Sequence, residues 1–536
     1  MVDVKLAGFS APVKILEQLQ AMQKRLDAYL KGPVLDIPTH ELMSLQSDIE
    51  KCISWFTPEP LAAAWARISR DPKDINALLE EALEDVPKAR KSNETIIHGM
   101  GHHAAAHNAM FHYNITNASR LLVESIEARR LAGYLEKSQR YVTLDGDFVR
   151  PVDFSLGDLA KFEQVVALQN DFYFKTNEKI LEMLKERNKE KLAAADDKER
   201  KKQLTLLEGS AKEDARYVLT LATKAQLGAS YDGEILEHAI RILKYGGLAE
   251  ERELAKKIFD EAAKYAPSLI QLADADIFRE RNPGQELDDN NYKHTRENLW
   301  HVVENAFDQC AYDAVDGIRK GTVKLMPPAG IDQKIIAALL HANSQRDISS
   351  AYGLANHLLS SNKAQDFLCN ALKHIGPYDK VPREFENNDL VYQVIISSCG
   401  FGQLKRHRMM TLLSQDYDTS LGITVPQNVI DAGADGELKD VCDRSAELHK
   451  EFLPRYGKAA EYCLTNAHRR RTIVGINLRQ LHHFSRTRQD MHAQWEIRGI
   501  AGDMCAIAKE QVPFTTLLLG GKDKFPDIRR EIYRQG

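Results

Sequence analysis

Four clusters in the sequence carry side chains able to do chemistry. Arg406-His407-Arg408 sets two guanidinium groups two residues apart, between a hydrophobic strand and a polar stretch. On extended backbone both would point to one side, and their forked donors suit phosphate or carboxylate; a basic surface turn is the plain alternative. The second cluster, Asn477-Leu478-Arg479-Gln480-Leu481-His482-His483-Phe484-Ser485-Arg486-Thr487-Arg488, runs into Ala493-Gln494-Trp495-Glu496-Ile497-Arg498. On a helix Arg479 and His483 share one face, while Leu481 and Phe484 lie three apart for packing. That density of polar groups suits a lined pocket as well as it suits a solvated face. The third cluster, His98-Gly-Met-Gly-His102-His103-Ala-Ala-Ala-His107, holds two i,i+4 histidine pairs, the spacing of zinc ligands on one helical face. It lacks the glutamate of an HExxH motif, and Gly99 and Gly101 weaken a helix there, so no metal is expected. The fourth, His468-Arg469-Arg470-Arg471, could meet a nucleic acid, but such a run reads as a solvated helix end and the net charge of −5 gives it no support.

The elements that must position these groups are mostly helical. Apolar residues recur at three- and four-residue spacing over 13–30, 158–186, 212–227, 234–265, 296–320, 351–373, 437–463 and 490–512. Strand character is strongest in Val323–Met326 and Leu390–Ile396, weaker in Tyr141–Leu144 and Ala109–Tyr113. The expected class is α+β with helices in excess. Glu186–Lys202 is nearly all charge and alanine, a solvated helix or a connection, and Arg279–Tyr292 has the composition of a loop. At 536 residues the chain exceeds one ordinary core. No apolar run approaches a membrane span, no basic leader opens the chain, and seven scattered cysteines without a CxxC pair suit reduced thiols, so a cytoplasmic protein with no membrane partner is expected.

Self-comparison shows an internal repeat. Ala64-Trp65-Ala66-Arg67-Ile68-Ser69-Arg70-Asp71 answers to Leu340-His341-Ala342-Asn343-Ser344-Gln345-Arg346-Asp347. A histidine-bearing segment follows in each, Gly101–His107 and His374–Lys380, then a strand, then a helix ending in Ala128-Arg129-Arg130 or Arg406-His407-Arg408. Ser69 to Arg130 spans 61 residues and Ser344 to Arg408 spans 64. Order and spacing together point to a duplication: a first copy over 1–275, a helical connection over 276–320, and a second copy over 321–536.

Gln403-x-x-Arg406-His407-Arg408, the N-x-R-x-x-x-H-F-x-x-x-R pattern of 477–488 and AQWEI at 493–497 resemble the flavin-dependent thymidylate synthases, most strongly over residues 374–512. In that family a Glu-x-Ser-x-Arg-Tyr run follows RHR. The second copy reads Ser414-Gln415-Asp416-Tyr417-Asp418 there, with no arginine. The first copy has the run intact as Glu136-Lys137-Ser138-Gln139-Arg140-Tyr141, yet its RHR is degenerate and its NxR segment, near Asp232–Leu254, has lost most matching residues.

The resemblance implies two diverged copies of the flavin-dependent thymidylate synthase fold and reductive methylation of dUMP to dTMP, with methylenetetrahydrofolate giving the carbon, FAD carrying the hydride and NADPH reducing the flavin. Glu136, Ser138 and Arg140 would hold dUMP from the first copy, and Gln403, Arg406 and Arg488 from the second; Arg406 and Arg488 are the catalytic candidates, Arg488 matching the family's arginine beside the pyrimidine. His407, Arg408, His374, Ser344, Asn477, Arg479 and His483 match flavin-contacting positions, with Ser69 from the first copy. Family sites are shared among subunits of a homotetramer, so complementary losses imply composite sites in a homodimer that mimics it. The rival expectations are flavin-dependent modification of another uridine nucleotide and a non-enzymatic nucleotide-binding homologue.

Overall fold

The computed structural model describes residues 2–30, 37–68, 70–140, 144–274, 279, 284, 298–299, 301–303, 305 and 323–533. Contacts divide the chain into two units. The first holds residues 1–137, 147–153 and 223–313; the second holds 138–146, 154–222 and 314–536. The units therefore cut across the two sequence copies.

Each unit contains a four-stranded antiparallel sheet of the same order. In the first unit β1 (Asp3–Phe9), β2 (Met110–Ser119), β3 (Gly133–Glu136) and β4 (Lys224–Asp232) run β1-β2-β4-β3. In the second unit β5 (Val323–Leu325), β6 (Asp389–Ser397), β7 (Thr411–Ser414) and β8 (Arg469–Asn477) run β5-β6-β8-β7. Registers agree as well: Ser119 faces Lys224 and Met110 faces Asp232 in one sheet, while Ser397 faces Arg469 and Asp389 faces Asn477 in the other. β2 carries one extra residue, a bulge between Ile115 and Ala118 with Asn117 at φ 55°. A duplicated, helix-rich α+β fold is thus what the chain adopts.

The same devices turn strand into helix in both copies. Ser119 and Ser397 end β2 and β6 and cap the helices Arg120–Glu127 and Ser398–Leu404 through their hydroxyls. Asp232 and Asn477 end β4 and β8 and cap Gly233–Lys244 and Leu478–Arg488. Behind each sheet lies an apolar core, with Phe111, Tyr113 and Leu236 in the first unit and Tyr392, Leu481 and Phe484 in the second. The second unit also packs the long helix Leu156–Arg187 and the helix Asp197–Ala215 against Asp435–Tyr456. A local two-fold relates these pieces: Leu221 N donates to Leu464 O at 2.9 Å, Asn466 N donates to Leu219 O at 2.8 Å, and Thr220 bridges Thr465.

Several sequence expectations are corrected. The periodicity of 212–227 is not one helix: Asp197–Ala215 ends there, and alternation from Lys224 onward makes β4. The stretch 234–265 breaks at Tyr245–Leu248, 351–373 breaks between Ser360 and Ala364, and 437–463 ends at Tyr456, where Gly457 takes φ 50°. Glu186–Lys202 is helical apart from short breaks. The arginine run is not a helix end but the start of β8, where Arg470 lies buried over the rings of Tyr417 and Phe401, 3.9 and 4.4 Å from their centroids. Most of the expected helix over 296–320 and of the 276–320 connection, together with Tyr141–Thr143, falls outside the described residues; 298–299, 301–303 and 305 are helical, and Leu144 is not in a strand. No described helix is long and apolar enough to cross a membrane.

Candidate active site

The helix Leu478–Arg488 starts at the Asn477 cap, anchors itself through Leu481 and Phe484, and delivers Arg488 at its last turn. Arg488 is held by three neutral acceptors. Its Nε donates to His407 Nε2 at 2.7 Å, and its terminal nitrogens donate to the Gln403 side-chain and main-chain oxygens, both at 3.2 Å. Burial holds His407 well below the usual imidazole range, and the charges of Arg488 and His483 push the same way. A neutral imidazole can accept, and its ring is fixed edge-on against Phe484 at 4.8 Å. The RHR segment forms a turn after the helix Ser398–Leu404, not the extended backbone that would align its arginines. His407 points inward, while Arg406 and Arg408 on either side are exposed.

Arg140 joins this group from the first copy. The segment Ser138–Gly146 belongs to the second unit. Ser138 Oγ accepts from Arg140 N at 3.2 Å, the guanidinium is paired with Glu213, and one terminal nitrogen donates to His492 O at 3.3 Å. Burial first, and then the nearby charges of Arg406 and Arg140, together lower the Arg488 pKa to about 10. Arg488 thus feels two further guanidinium charges, of which Arg140 is paired with Glu213, while its own described hydrogen bonds reach no carboxylate. Such a site calls for an anion.

The matching registers show what the other half of each copy has become. Glu136 pairs with Leu227 and Ser414 with Thr472, each three residues into its strand, so Asp418 occupies the place of Arg140. Asp418 is bound to Arg471 at 3.0 Å, and Asp416 to Lys458 at 2.5 Å, so this stretch presents carboxylates where the first copy presents a guanidinium. Counting from Asp232 as from Asn477, Leu243 stands in the place of Arg488. Glu136 itself lies in the first unit, buried and paired with Arg120 at 3.0 Å.

The AQWEI block, to which sequence reasoning gave no task, ties these pieces together. Glu496 accepts from Ser397 N at 3.0 Å and Ser397 Oγ at 2.5 Å, and from Tyr217 OH at 2.7 Å. Gln494 donates to Tyr217 OH at 2.7 Å, and Trp495 stacks on Tyr217 while its Nε1 donates to Asp214 at 2.8 Å. Gly400 is required here, since a Cβ would come within 2.9 Å of Glu496. Residues 213–217 thus form the mount on which Arg140 rests. The first copy keeps the glutamate alone: Glu250 binds Ser119 N and Oγ at 2.8 and 2.6 Å. The signal was present as a serine ending β2, but 131 residues separate the pair.

Of the flavin-side candidates, Arg479 and His483 line a cavity of about 400 Å3 with Tyr378, Lys380, His492 and Lys522. Arg479 donates to Val381 O at 2.9 Å and to Glu386 at 2.5 Å, which engages two of its five N–H groups. Asn477 Oδ1 serves as the helix cap at 2.9 Å. His374 lines a neighbouring cavity of about 710 Å3 that shares Pro377 with the first. Ser344 is exposed, its hydroxyl accepting from Arg346 N at 3.2 Å, and nothing described brings it to Arg488. Ser69 lies outside the described residues.

The histidine cluster of the first copy is not a helical face. A π-helical turn covers Glu94–Gly99, Gly101 takes φ 72°, and a 3-10 turn follows over His103–Asn108. His102 meets Arg70 at 2.8 Å and His107 pairs with Glu234, and among the described residues no trio of His, Cys, Asp or Glu is placed to hold a metal. Burial raises the thiols of Cys52, Cys369, Cys442, Cys463 and Cys505, so none of these is an activated thiolate.

The family described as thymidylate synthase complementing protein matches this chain twice, over residues 52–268 and 329–514. A protein named UPF0159 from Chlamydia muridarum is 23% identical over 448 residues, 81% of this chain and 82% of its own length. A flavin-dependent thymidylate synthase from Clostridium tetani is 24% identical over 218 residues, which are 40% of this chain but 82% of that protein. The solved structure of a UMP/dUMP methylase PolB from Streptomyces cacaoi bound with 5-Br dUMP covers 52% of this chain and 95% of its own, at 15% identity and a TM-score of 0.32.

Proposed function

The chain belongs to the thymidylate synthase complementing family, as two diverged tandem copies, and from that premise we propose that it methylates dUMP reductively to dTMP at one composite site per chain. The observation that carries the reading is that Arg488 feels the charges of Arg406 from its own copy and of Arg140 from the first copy, so the two copies bring guanidinium groups within electrostatic reach of one another. A nucleotide phosphate removed from water needs several charge-assisted donors, and forked guanidinium groups supply them bidentately. Arg140, seated by Ser138 and Glu213, and Arg406 take the phosphate side, with Gln403 lining the site and Glu136 completing the first-copy motif. Arg488 faces the base. At neutral pH it stays charged, since its pKa is lowered only to about 10. Fixed by His407 and Gln403, it stabilises negative charge that develops on a pyrimidine oxygen without having to reorganise.

The residues around the 400 Å3 cavity fit the anionic and planar parts of FAD: Lys380, Lys522 and the remaining donors of Arg479 suit its phosphates, and His483 and Tyr378 offer flat faces. His407, its ring 6.0 Å from that of His483, together with Arg408, Asn477, His374, Ser344 and Ser69, are the further flavin candidates. When bound, the flavin supplies the hydride that completes the methylation, with NADPH as its reductant and methylenetetrahydrofolate as the carbon donor. The protein's own part is to bind, orient and polarise. The motifs support two such sites in a homodimer, because Asp418 and Leu243 replace the arginines the other pairing would need.

The test is tritium release from [5-3H]dUMP by the purified, flavin-loaded protein with NADPH and methylenetetrahydrofolate. Release that requires all three components is expected. A flavoprotein that binds dUMP but releases no tritium and forms no dTMP overturns the reaction.

A further inference from the structure

Between β1 and the helix Glu59–Arg67 the first copy carries a helical hairpin, Lys14–Leu30 and Thr39–Trp55, while the second copy passes from β5 to the helix Ile331–Ala342 in a few residues. The hairpin lies almost entirely ahead of the family match, which begins at residue 52. One face of each helix is buried, through Ile15 and Met22 and through Leu45, Cys52 and Trp55. Arg25 ties the helices together by bonds to Glu41 and Asp48, both at 2.6 Å.

A second apolar stripe runs beside the buried one. Leu16, Leu19, Leu26 and Leu30 are 56%, 45%, 37% and 66% exposed, and the exposed Gln23 sits at the centre of their row. The spacing from 16 through 19, 23, 26 and 30 is that of a heptad seam. It reads nearly the same in both directions about Gln23, as an antiparallel pairing of the helix with itself requires. Leu42, Ile49, Ile53 and Phe56, with Gln46 in their row, form a like stripe on the second helix. Leu19, Ile49, Ile53 and Phe56 open on one cavity of about 630 Å3.

We infer that this hairpin docks a second copy of the chain, helix Lys14–Leu30 packing antiparallel on its own counterpart about a two-fold at Gln23. The four leucines of the seam expose on the order of 400 Å2, and the stripe of the second helix beside them brings the apolar face to on the order of 800 Å2, close to the ~800 Å2 per partner of a standard stable interface. A two-fold interface uses one patch twice, so a stripe symmetric about its centre is self-complementary. The central glutamine meets its own copy on the axis, and a lone polar residue in an apolar seam fixes register and partner. A seam of leucine exposed to water without a partner would be an aggregation hazard.

Sedimentation of the full chain tests this and is blind to nucleotide chemistry, so its failure is distinct from failure of the proposed reaction. Because the composite-site reading already calls for a homodimer, the readout is what the hairpin adds: the wild type at roughly 10 μM sediments as a larger assembly than L19K/L26K, since an interface of standard size supports micromolar or tighter association. The double variant L19K/L26K keeps the circular dichroism of the folded chain, because both sites are exposed, and the dissociation constant of the hairpin contact rises by roughly 100-fold or more. Gln23→Cys gives a disulfide-linked dimer on oxidation, while Ala21→Cys, about 200° around the same helix, does not. A wild type that sediments like L19K/L26K, or equal cross-linking at positions 21 and 23, overturns the inference.

Discussion

Asp214→Asn gives the sharpest physical test of the mount that carries Arg140. The Asp214 side chain is buried at the end of the helix Asp197–Ala215, where it accepts from Trp495 Nε1 and Asn428 Nδ2, both at 2.8 Å. Burial pushes its pKa up to about 6, against the lowering effect of those two hydrogen bonds. In an unfolded chain the group titrates near 3.9. Between these values the native state holds a proton that the unfolded state has lost. The contribution is therefore fully present below about pH 4 and disappears as the pH rises through about 6. A difference of roughly 2 units corresponds to about 3 kcal/mol in all, of which about 1.4 kcal/mol falls between pH 7.5 and pH 5. The amide that replaces the carboxyl in Asp214→Asn cannot titrate, and the other ionisable groups are common to both proteins. Urea unfolding at the two pH values, followed by tryptophan fluorescence, should show the wild type gaining about 1.4 kcal/mol on the variant at pH 5. An unchanged difference, or one of opposite sign, would refute the burial and the sign of the shift.

Three further outcomes follow. Arg488→Lys keeps the charge but loses the fork that spans His407 and Gln403, so kcat/KM for dUMP should fall about 100- to 1,000-fold in a chain that still folds, as circular dichroism reads. Asp418→Arg restores an arginine to the second copy but should add no turnover, because Leu243 replaces Arg488 in the other; losing the half-exposed pair with Arg471 should lower stability by about 0.5–1 kcal/mol in chemical unfolding. Tyr392→Phe removes the buried hydroxyl that donates to Met504 O at 3.0 Å and should cost about 1 kcal/mol, read in the same way.

The duplication, the α+β class and the better preserved half were legible because motif residues sit close together in sequence. Gln403, His407 and Arg488 are placed by one strand-to-helix turn and one helix, and local pattern carries such units. β4 and β8 were not legible, since Ala, Leu and Tyr in the one and three arginines in the other hide a two-residue alternation among helix-forming types. Arg470 looked like a solvated charge because nothing local announces Phe401 and Tyr417 as its partners. The mount of Arg140 escaped notice for a like reason: Asp214 and Tyr217 meet Trp495 and Glu496 across about 280 residues of chain. Glu250 was missed because four of the five residues around it have changed while its bond to Ser119 persists.

The composite site stands or falls on Arg140, a first-copy residue set beside second-copy arginines. Calorimetric titration of dUMP into the flavin-loaded wild type and the Arg140→Ala variant reads it directly, because a charge-assisted bond to phosphate is worth about 1.5–3 kcal/mol, or roughly 10- to 100-fold in affinity. The account predicts a loss of that size in a variant that folds normally and retains its flavin. Unchanged dUMP affinity in Arg140→Ala would contradict it.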